Sequence, residues 1–209
     1  MKRLYHNAIF YPDEPDELRA MTDGIKPQAG TATALILPHG DARNLYELYR
    51  KALGYIPAAV KHVIIITPIH SELLEEDDGE IAFEGESGHL STFYGDITLK
   101  SLGLKVQEAY AEEESAAEIL LPFIRSAAPD ACISVSYAKI RNAADSRRFA
   151  QIIRNWQKEN PFFIISSNLT GRMRREEIME ARQSAADCIT GCSHLIDAQN
   201  KHMIDICAS

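Results

Sequence analysis

Two apolar segments early in the chain share one pattern. Residues 32–40 read ATALILPHG, and residues 62–70 read HVIIITPIH. In each segment a short run of aliphatic and β-branched residues predicts a buried strand, and a proline ends the run. A histidine follows each proline closely: His39 in the first segment and His70 in the second. The pattern predicts two strands that each place one imidazole at the carboxyl end.

The stretch between the two segments predicts a helix. Asp41 can cap its N-terminus, residues 42–53 place apolar side chains on one stripe, and Gly54 can end it. A strand, a helix and a second strand in this order form a β-α-β unit, in which the strands are parallel. Ligands of open α/β sheets bind beyond the carboxyl ends of the strands, so both imidazoles are expected on one rim. Two imidazoles on one rim are the beginning of a metal site.

The remainder of the chain extends this α/β pattern. Residues 132–137 and 161–166 predict two further buried strands, and residues 143–158 predict a helix between them. Residues 95–102 are expected to form a short helix that Gly95 and Asp96 cap. We predict a single domain over residues 1–209, with a mostly parallel central sheet flanked by helices.

The composition is that of a globular protein. The chain has 209 residues, of which 45% are hydrophobic and 25% charged, and its net charge is -8 from 30 acidic and 22 basic residues. An acidic balance argues against a nucleic-acid partner, since phosphate contacts need clustered Lys and Arg. No apolar run approaches the roughly 20 residues of a membrane span.

The cellular compartment is inferred from two features. The N-terminal residues lack the apolar stretch of a signal peptide. The four cysteines contain no CxxC pair and are interpreted as buried or half-buried thiols of a reducing cytosol. We therefore expect a cytoplasmic protein.

Seven short segments, in the same order along nearly the whole chain, are similar to the motifs of one known family. The similar segments, each with the family motif, are residues 9–18 (IFYPDEPDEL; YFYP-x-D-x-x-x-L), 37–40 (LPHG; PHAG), 68–70 (PIH; GPSH), 92–96 (TFYGD; TPLGD), 114–122 (ESAAEILLP; EHSxExQLP), 164–169 (IISSNL; xxSSDLSH) and 206–208 (ICA; xxCG). Through them the chain resembles the Memo family, also called protein B of the AmmeMemoRadiSam system.

The resemblance implies a fold and a metal site. The fold would be that of the class III extradiol dioxygenases, an α/β architecture with its site at strand ends. The family's metal ligands, two histidines and one cysteine, correspond to His39, His70 and Cys207 of this chain. Two imidazoles and one thiolate suit Fe, Cu or Zn, and the sequence does not choose between them.

The chain departs from the family at positions suited to proton transfer. Ser115 replaces the histidine of EHS, Asn168 replaces the aspartate of SSDLSH, and Gly171 replaces its histidine. Ser115, Asn168 and Glu118 are expected to line the pocket beside the metal. An asparagine amide cannot act as a general base near neutral pH, so the catalytic residues stay unknown.

Two functions are compatible with these features. The first is metal-assisted redox or oxygen-dependent chemistry on a small organic molecule. The second is a non-catalytic binding or scaffold protein that keeps the fold and the pocket, with an unidentified small-molecule or protein partner. The substitutions at Ser115, Asn168 and Gly171 favour the second.

Ordinary structural roles remain open for several of these residues. A histidine at a strand end is often only hydrogen-bonded, Cys207 can be a small hydrophobe near the terminus, and Asn168 can tie a turn together. Glu114 is interpreted as a solvated residue at a helix start, where its charge complements the helix dipole. The histidines given surface or capping roles are His6, His62, His89, His194 and His202.

Overall fold

The structure is a computed structural model that describes residues 6–30, 32–70, 86–103, 108–140, 142–168 and 174–191. The chain divides into two compact units, Met1–Ser166 and Ser167–Ser209. The first unit contains a six-stranded sheet with its helices, and the described part of the second contains one long helix. The single domain expected over residues 1–209 stays a prediction.

The sheet of the first unit is mostly parallel. Its strand order is β1-β6-β2-β5-β4-β3; the first five strands in that order pair in parallel, and β3 pairs antiparallel with β4 at one edge. This confirms the α/β class and the mostly parallel sheet. The strands are β1 (Ala34–Leu37), β2 (His62–Thr67), β3 (Glu86–Thr92), β4 (Gly95–Leu102), β5 (Cys132–Ala138) and β6 (Phe162–Ser166).

The helices connect the strands, and one more helix lies in the second unit. The described helices are α1 (Pro15–Thr22), α2 (Ala42–Leu53), α3 (Glu108–Glu113), α4 (Ser115–Glu118), α5 (Leu121–Ala127), α6 (Ala143–Trp156), a 3₁₀ turn (Gln157–Glu159) and, in the second unit, α7 (Arg175–Thr190).

The helix between the two opening segments confirms the sequence prediction. Asp41 is its N-cap, with a side-chain oxygen 2.9 Å from the backbone nitrogen of Arg43. The buried face of α2 includes Tyr49 and Leu53, and the Tyr49 hydroxyl donates to the carbonyl of Pro38 at 3.0 Å. This bond ties α2 to the segment just beyond β1, directly before His39.

The strands β1 and β2 are parallel but not adjacent, because β6 lies between them. Ile36 of β1 is in register with Ile165 of β6, and Ile65 of β2 is in register with Ile164. Three parallel strands therefore end at the same edge of the sheet. This edge is where the candidate functional residues lie.

Apolar side chains cover both faces of the inner strands, as parallel sheets require. The burial expected for β1 is wrong, because β1 is an edge strand in which Ala34 and Ile36 are exposed. On one face, residues such as Val63, Ile65 and Val135 join the larger core cluster. On the other, Ile64 and Ile66 join a smaller cluster that includes Trp156 of α6. Successive residues of β2 are thus buried on opposite faces, which explains its uninterrupted run of aliphatic residues.

The short helix expected over residues 95–102 is wrong, because these residues form β4. Ile97 and Leu99 are buried at alternate positions, the period of a strand, and the whole segment pairs with β5. Gly95 has φ +101° and begins the strand directly after a tight turn, rather than capping a helix. The Thr92 hydroxyl donates to the carbonyl of Gly95 at 2.9 Å and closes that turn.

Two sequence expectations concern membranes and thiols. In the described part of the chain no helix combines the length and the apolar character that a membrane span needs. Cys132 and Cys188 are free thiols; Cys188 is half-buried, whereas Cys132 is exposed at the start of β5 and so departs from the expected burial.

Three serine and histidine side chains lie on the face of the sheet that α6 covers. Nε2 of His62, at the start of β2, is 2.7 Å from the hydroxyl oxygen of Ser134 on β5. Ser136, two residues further along β5, is fully buried, and no described group hydrogen-bonds its hydroxyl. Ser134 therefore forms a hydrogen bond with His62, whereas the buried hydroxyl of Ser136 has no hydrogen-bond partner among the described residues.

Replacing these two serines by alanine is expected to have opposite effects. Ser136→Ala removes an unpaired buried hydroxyl and should raise the free energy of unfolding by about 1 kcal/mol. Ser134→Ala, the matched control on the same strand face, removes the partner of His62 and should lower it by about 1 kcal/mol. Urea denaturation of both variants measures the difference. Equal effects would contradict the assigned hydrogen bonding.

The half-buried His62 should make stability depend on pH. Burial, followed by the nearby charge of Lys100, lowers the pKa of His62 below its ordinary value of 6.5, against the opposing charge of Glu159. Below pH 6.5 the His62 ring takes up a proton more readily in the unfolded chain than in the folded protein. The free energy of unfolding is therefore highest above pH 6.5 and decreases as the pH falls. His62→Gln should weaken this loss between pH 7.5 and about pH 5.5 in thermal denaturation. An unchanged pH profile would contradict the prediction.

Candidate functional site

The two histidines of the opening segments lie side by side. His39 follows the last residue of β1 by two positions, and His70 follows the last residue of β2 by three. Their ring centroids are 5.0 Å apart, and the ring planes meet at 71°. His39 is buried, whereas 40% of the His70 side chain is exposed. The expected placement of both imidazoles at one rim is therefore found.

His39 is held by a serine from the intervening strand. Its Nδ1 is 3.0 Å from the hydroxyl oxygen of Ser166, the last residue of β6. That hydroxyl, which is buried, donates its hydrogen to the carbonyl of Ala116 at 3.3 Å. A serine hydroxyl has one hydrogen, so it must accept from His39 and Nδ1 must carry a proton. The neutral ring then has its lone pair on Nε2.

His70 is held by a buried carboxylate. Its Nδ1 donates to Oε1 of Glu114 at 3.0 Å, and its backbone nitrogen donates to Oε2 at 2.5 Å. The backbone nitrogen of Ala116 also donates to Oε1, at 2.8 Å. Because a carboxylate only accepts hydrogen bonds, Nδ1 of His70 is protonated as well.

Glu114 is ionised despite its burial. Burial alone would raise its pKa, but the hydrogen bond from the His70 ring, the backbone donors of Ala116 and His70, and the charge of His70 outweigh it. The pKa of Glu114 therefore lies below its usual range. The site has one fixed negative charge directly against an imidazole.

The interpretation of Glu114 as a solvated helix residue is wrong. It is the N-cap of α4, but its side chain is only 1% exposed. The helix start is covered because α4 packs against β2 and faces the segment that carries His70. A charged residue at a helix start indicates an N-cap, but the sequence does not show whether another part of the chain buries that residue.

Glu118, one turn further along, is a second buried carboxylate. Its Oε1 accepts hydrogen bonds from the Tyr11 hydroxyl at 2.7 Å and from the backbone nitrogen of His6 at 2.9 Å. Burial raises the pKa of Tyr11 well above its usual value, and the hydrogen bond to Glu118 and its charge raise it further. Tyr11 therefore stays protonated and donates to the carboxylate.

Glu114 and Glu118 both line a pocket on the larger-core face of the sheet. Its other walls come from β3, β4, β5 and the helices α3 to α5. Most of the remaining lining is apolar, and includes Leu90, Ile97, Leu99, Leu121 and Val135. Glu114 thus lines the pocket and also accepts hydrogen bonds from His70.

The remaining residues predicted for the site are less well placed or are not described. Ser115 is half-buried at the start of α4, and the described pocket lining includes Glu118 but not Ser115. Asn168 is half-buried two residues after β6 and belongs to the second unit. Cys207 and Gly171 lie outside the described residues. Within the described ranges no three His, Cys, Asp or Glu side chains form a group that could hold a metal ion.

The sequence reasoning missed Ser166 and misjudged Glu114. Ser166 carries a weak signal, a polar residue at the end of a buried strand in the segment IISSNL. Glu114 carries no clear signal, because Glu14, the N-cap of α1, is the same residue type at the same helix position and is exposed.

Comparisons with known proteins add no assignment. The chain matches no known family model and no curated protein sequence. The resemblance to the Memo family therefore stays a prediction based on the seven motifs.

Removing the Tyr11 hydroxyl, which donates a hydrogen bond to Glu118, should destabilise the fold. Tyr11→Phe leaves a buried carboxylate without one of its donors and should lower the free energy of unfolding by about 1–3 kcal/mol. Tyr46→Phe is the matched control, because the Tyr46 hydroxyl bonds the exposed Glu47 at 3.4 Å. Its effect should stay within about 0.5 kcal/mol. Chemical denaturation compares the two, and equal losses would contradict the importance of the buried pair.

Proposed function

We propose that this chain is a Memo-like protein that binds one transition-metal ion at the strand-end rim. His39 and His70 would be two ligands, and Cys207 would be the third. The observation that best supports this proposal is the histidine pair, in which two imidazoles that follow separate strands have ring centroids 5.0 Å apart. Both rings have Nδ1 engaged by a buried partner.

The donor set fits a metal ion of the Fe, Cu or Zn type. Metal-bound histidines commonly use one ring nitrogen as the ligand and donate the other N–H to a carboxylate, a carbonyl or a similar acceptor. His70 has this arrangement with Glu114, and His39 has it with Ser166. A thiolate from Cys207 would complete a mixed nitrogen and sulfur set, which these metals accept.

The proposed chemistry is metal-assisted redox or oxygen-dependent conversion of a small organic molecule, on a fold of the class III extradiol dioxygenase type. When bound, the metal would supply Lewis acidity and, in the case of Fe or Cu, a site of electron transfer. The described pocket beside Glu114 has a volume of about 20 Å³, roughly the room for one water molecule, so it would have to widen to bind the organic molecule. Glu114 would hold His70, and Tyr11 would keep Glu118 hydrogen-bonded at Oε1.

The second candidate is a binding protein that keeps the pocket and has lost catalysis. Ser115 and Asn168 favour it, because neither side chain exchanges a proton near neutral pH. The two candidates differ in what they predict for the purified protein. The first requires a stoichiometric metal ion, whereas the second requires none.

Metal analysis of the purified protein tests the proposal. After loading with Zn²⁺, Cu²⁺ or Fe²⁺ and gel filtration, the wild-type chain should retain one of them stoichiometrically. His39→Ala and His70→Ala should each lose most of the metal, and Cys207→Ser should lower the metal content. His89→Ala, an exposed histidine of β3, is the control and should retain it.

Three results would contradict parts of the proposal. A wild-type chain that retains no metal would overturn the metal site and favour the binding protein. Equal metal content in the His39, His70 and His89 variants would place the metal elsewhere. Unchanged metal content in Cys207→Ser would remove the cysteine from the ligand set.

A further inference from the structure

We infer that Glu114 and Ser166 are positioning residues that fix the tautomers of His70 and His39, and that Glu114 is the stronger of the two. The inference concerns the histidine pair itself, and only its consequence for metal binding rests on the proposed function. Neither residue needs to contact a metal or a substrate to have this effect.

The two positioning contacts meet at a single residue of α4. Ala116 donates its backbone N–H to Oε1 of Glu114, which accepts from the His70 ring. The carbonyl of the same Ala116 accepts from the Ser166 hydroxyl, which accepts from the His39 ring. The two imidazoles, which belong to segments 31 positions apart in the sequence, are thus tied to one residue of one short helix.

Both hydrogen-bond chains impose the same tautomer. A carboxylate cannot donate, and the hydroxyl of Ser166 has already donated its hydrogen, so each ring must present N–H at Nδ1. Each neutral ring then has its lone pair on Nε2. The same nitrogen, Nε2, is therefore the unprotonated one in both neutral rings.

The two partners differ in strength. The bond from His70 goes to a buried, charged carboxylate, and hydrogen bonds to charged groups are roughly twice as strong as neutral ones. The bond from His39 goes to a neutral hydroxyl. A carboxylate partner also raises the basicity of the imidazole that it holds. His70 should therefore be the more firmly oriented ring and the stronger donor.

A capping role alone does not account for Glu114. The cap uses one oxygen, Oε1, through the N–H of Ala116, and a shorter Ser, Thr or Asp would serve it. The other oxygen, Oε2, accepts from the backbone nitrogen of His70. Two contacts to His70 from a side chain that is 1% exposed justify burying a charge, which a helix cap at the surface does not need.

Nuclear magnetic resonance on metal-free protein tests the tautomers directly. Long-range ¹H–¹⁵N correlation spectra, recorded well above the ordinary histidine pKa of about 6.5, distinguish protonation at Nδ1 from protonation at Nε2. In the wild-type chain both His39 and His70 should carry the proton at Nδ1. Ser166→Ala should alter the tautomer of His39 and leave His70 unchanged, and Glu114→Ala should do the reverse. Each variant is the control for the other.

The variant Glu114→Gln keeps one acceptor oxygen and removes the charge. A glutamine carbonyl in place of Oε1 can still accept from Nδ1 of His70, so the tautomer should be retained, while the charge and the acceptor for the backbone N–H of His70 are lost. The affinity for Zn²⁺, measured by competition with a chelator, should then fall by about 10–100-fold. Ser166→Ala should reduce the affinity by a smaller factor.

The outcomes of the two measurements separate this inference from the proposed function. If the wild-type chain binds no metal but both rings carry the proton at Nδ1 and respond as described, the positioning roles stand and the metal site fails. If metal binds but either ring is protonated at Nε2 in the wild-type chain, the positioning roles fail. Equal loss of Zn²⁺ affinity in Glu114→Gln and Ser166→Ala would overturn the ranking of the two residues. If Glu114→Ala does not fold, the wild-type spectrum and Glu114→Gln still decide.

Discussion

The parallel pairing of β6 between β1 and β2 is the constraint on which the candidate site depends. It brings three carboxyl strand ends to one edge, in the spatial order that places Ser166 between the segments carrying His39 and His70. Neighbouring strands are about 4.8 Å apart, so β1 and β2 are roughly 10 Å apart. The imidazoles close this gap because each follows its strand by two or three residues, and their centroids meet at 5.0 Å. The gap also leaves room for the serine that holds His39.

The short helix α4 supplies the second half of the arrangement. Glu114 at its N-cap and Glu118 at its last residue are both buried, and both are fully committed to other parts of the chain. Glu114 connects the helix to the segment after β2, whereas Glu118 connects it to Tyr11 near the N-terminus. Buried carboxylates are costly unless they are hydrogen-bonded, so these contacts hold α4, the N-terminal segment and the rim in one arrangement.

The orientation of the histidines is strongly specified, by a buried carboxylate on one ring and a relayed hydroxyl on the other. Ser115 and Asn168, by contrast, have side chains that neither gain nor lose a proton near neutral pH. The pocket is mostly apolar and contacts the site through Glu114. The two proposed functions share this structure and differ in whether it supports turnover.

The sequence by itself determined the elements with strong local signals. The runs before His39 and His70 are strands, and Asp41 caps α2. The strand β6 follows from its continuous apolar run, which burial on both faces explains, whereas β5 follows from the alternation of apolar residues with Ser134 and Ser136. The position of the two histidines at one rim follows from the rule that the carboxyl ends of parallel strands lie at the same edge of a sheet. Where local signals are ambiguous, as in residues 95–102, only pairing with β5 decided that the segment is a strand. The placement of β6 between β1 and β2, the burial of Glu114 and the role of Ser166 were likewise decided by tertiary structure. Each depends on contacts between residues 44 or more positions apart, which no local pattern of charge or hydrophobicity encodes.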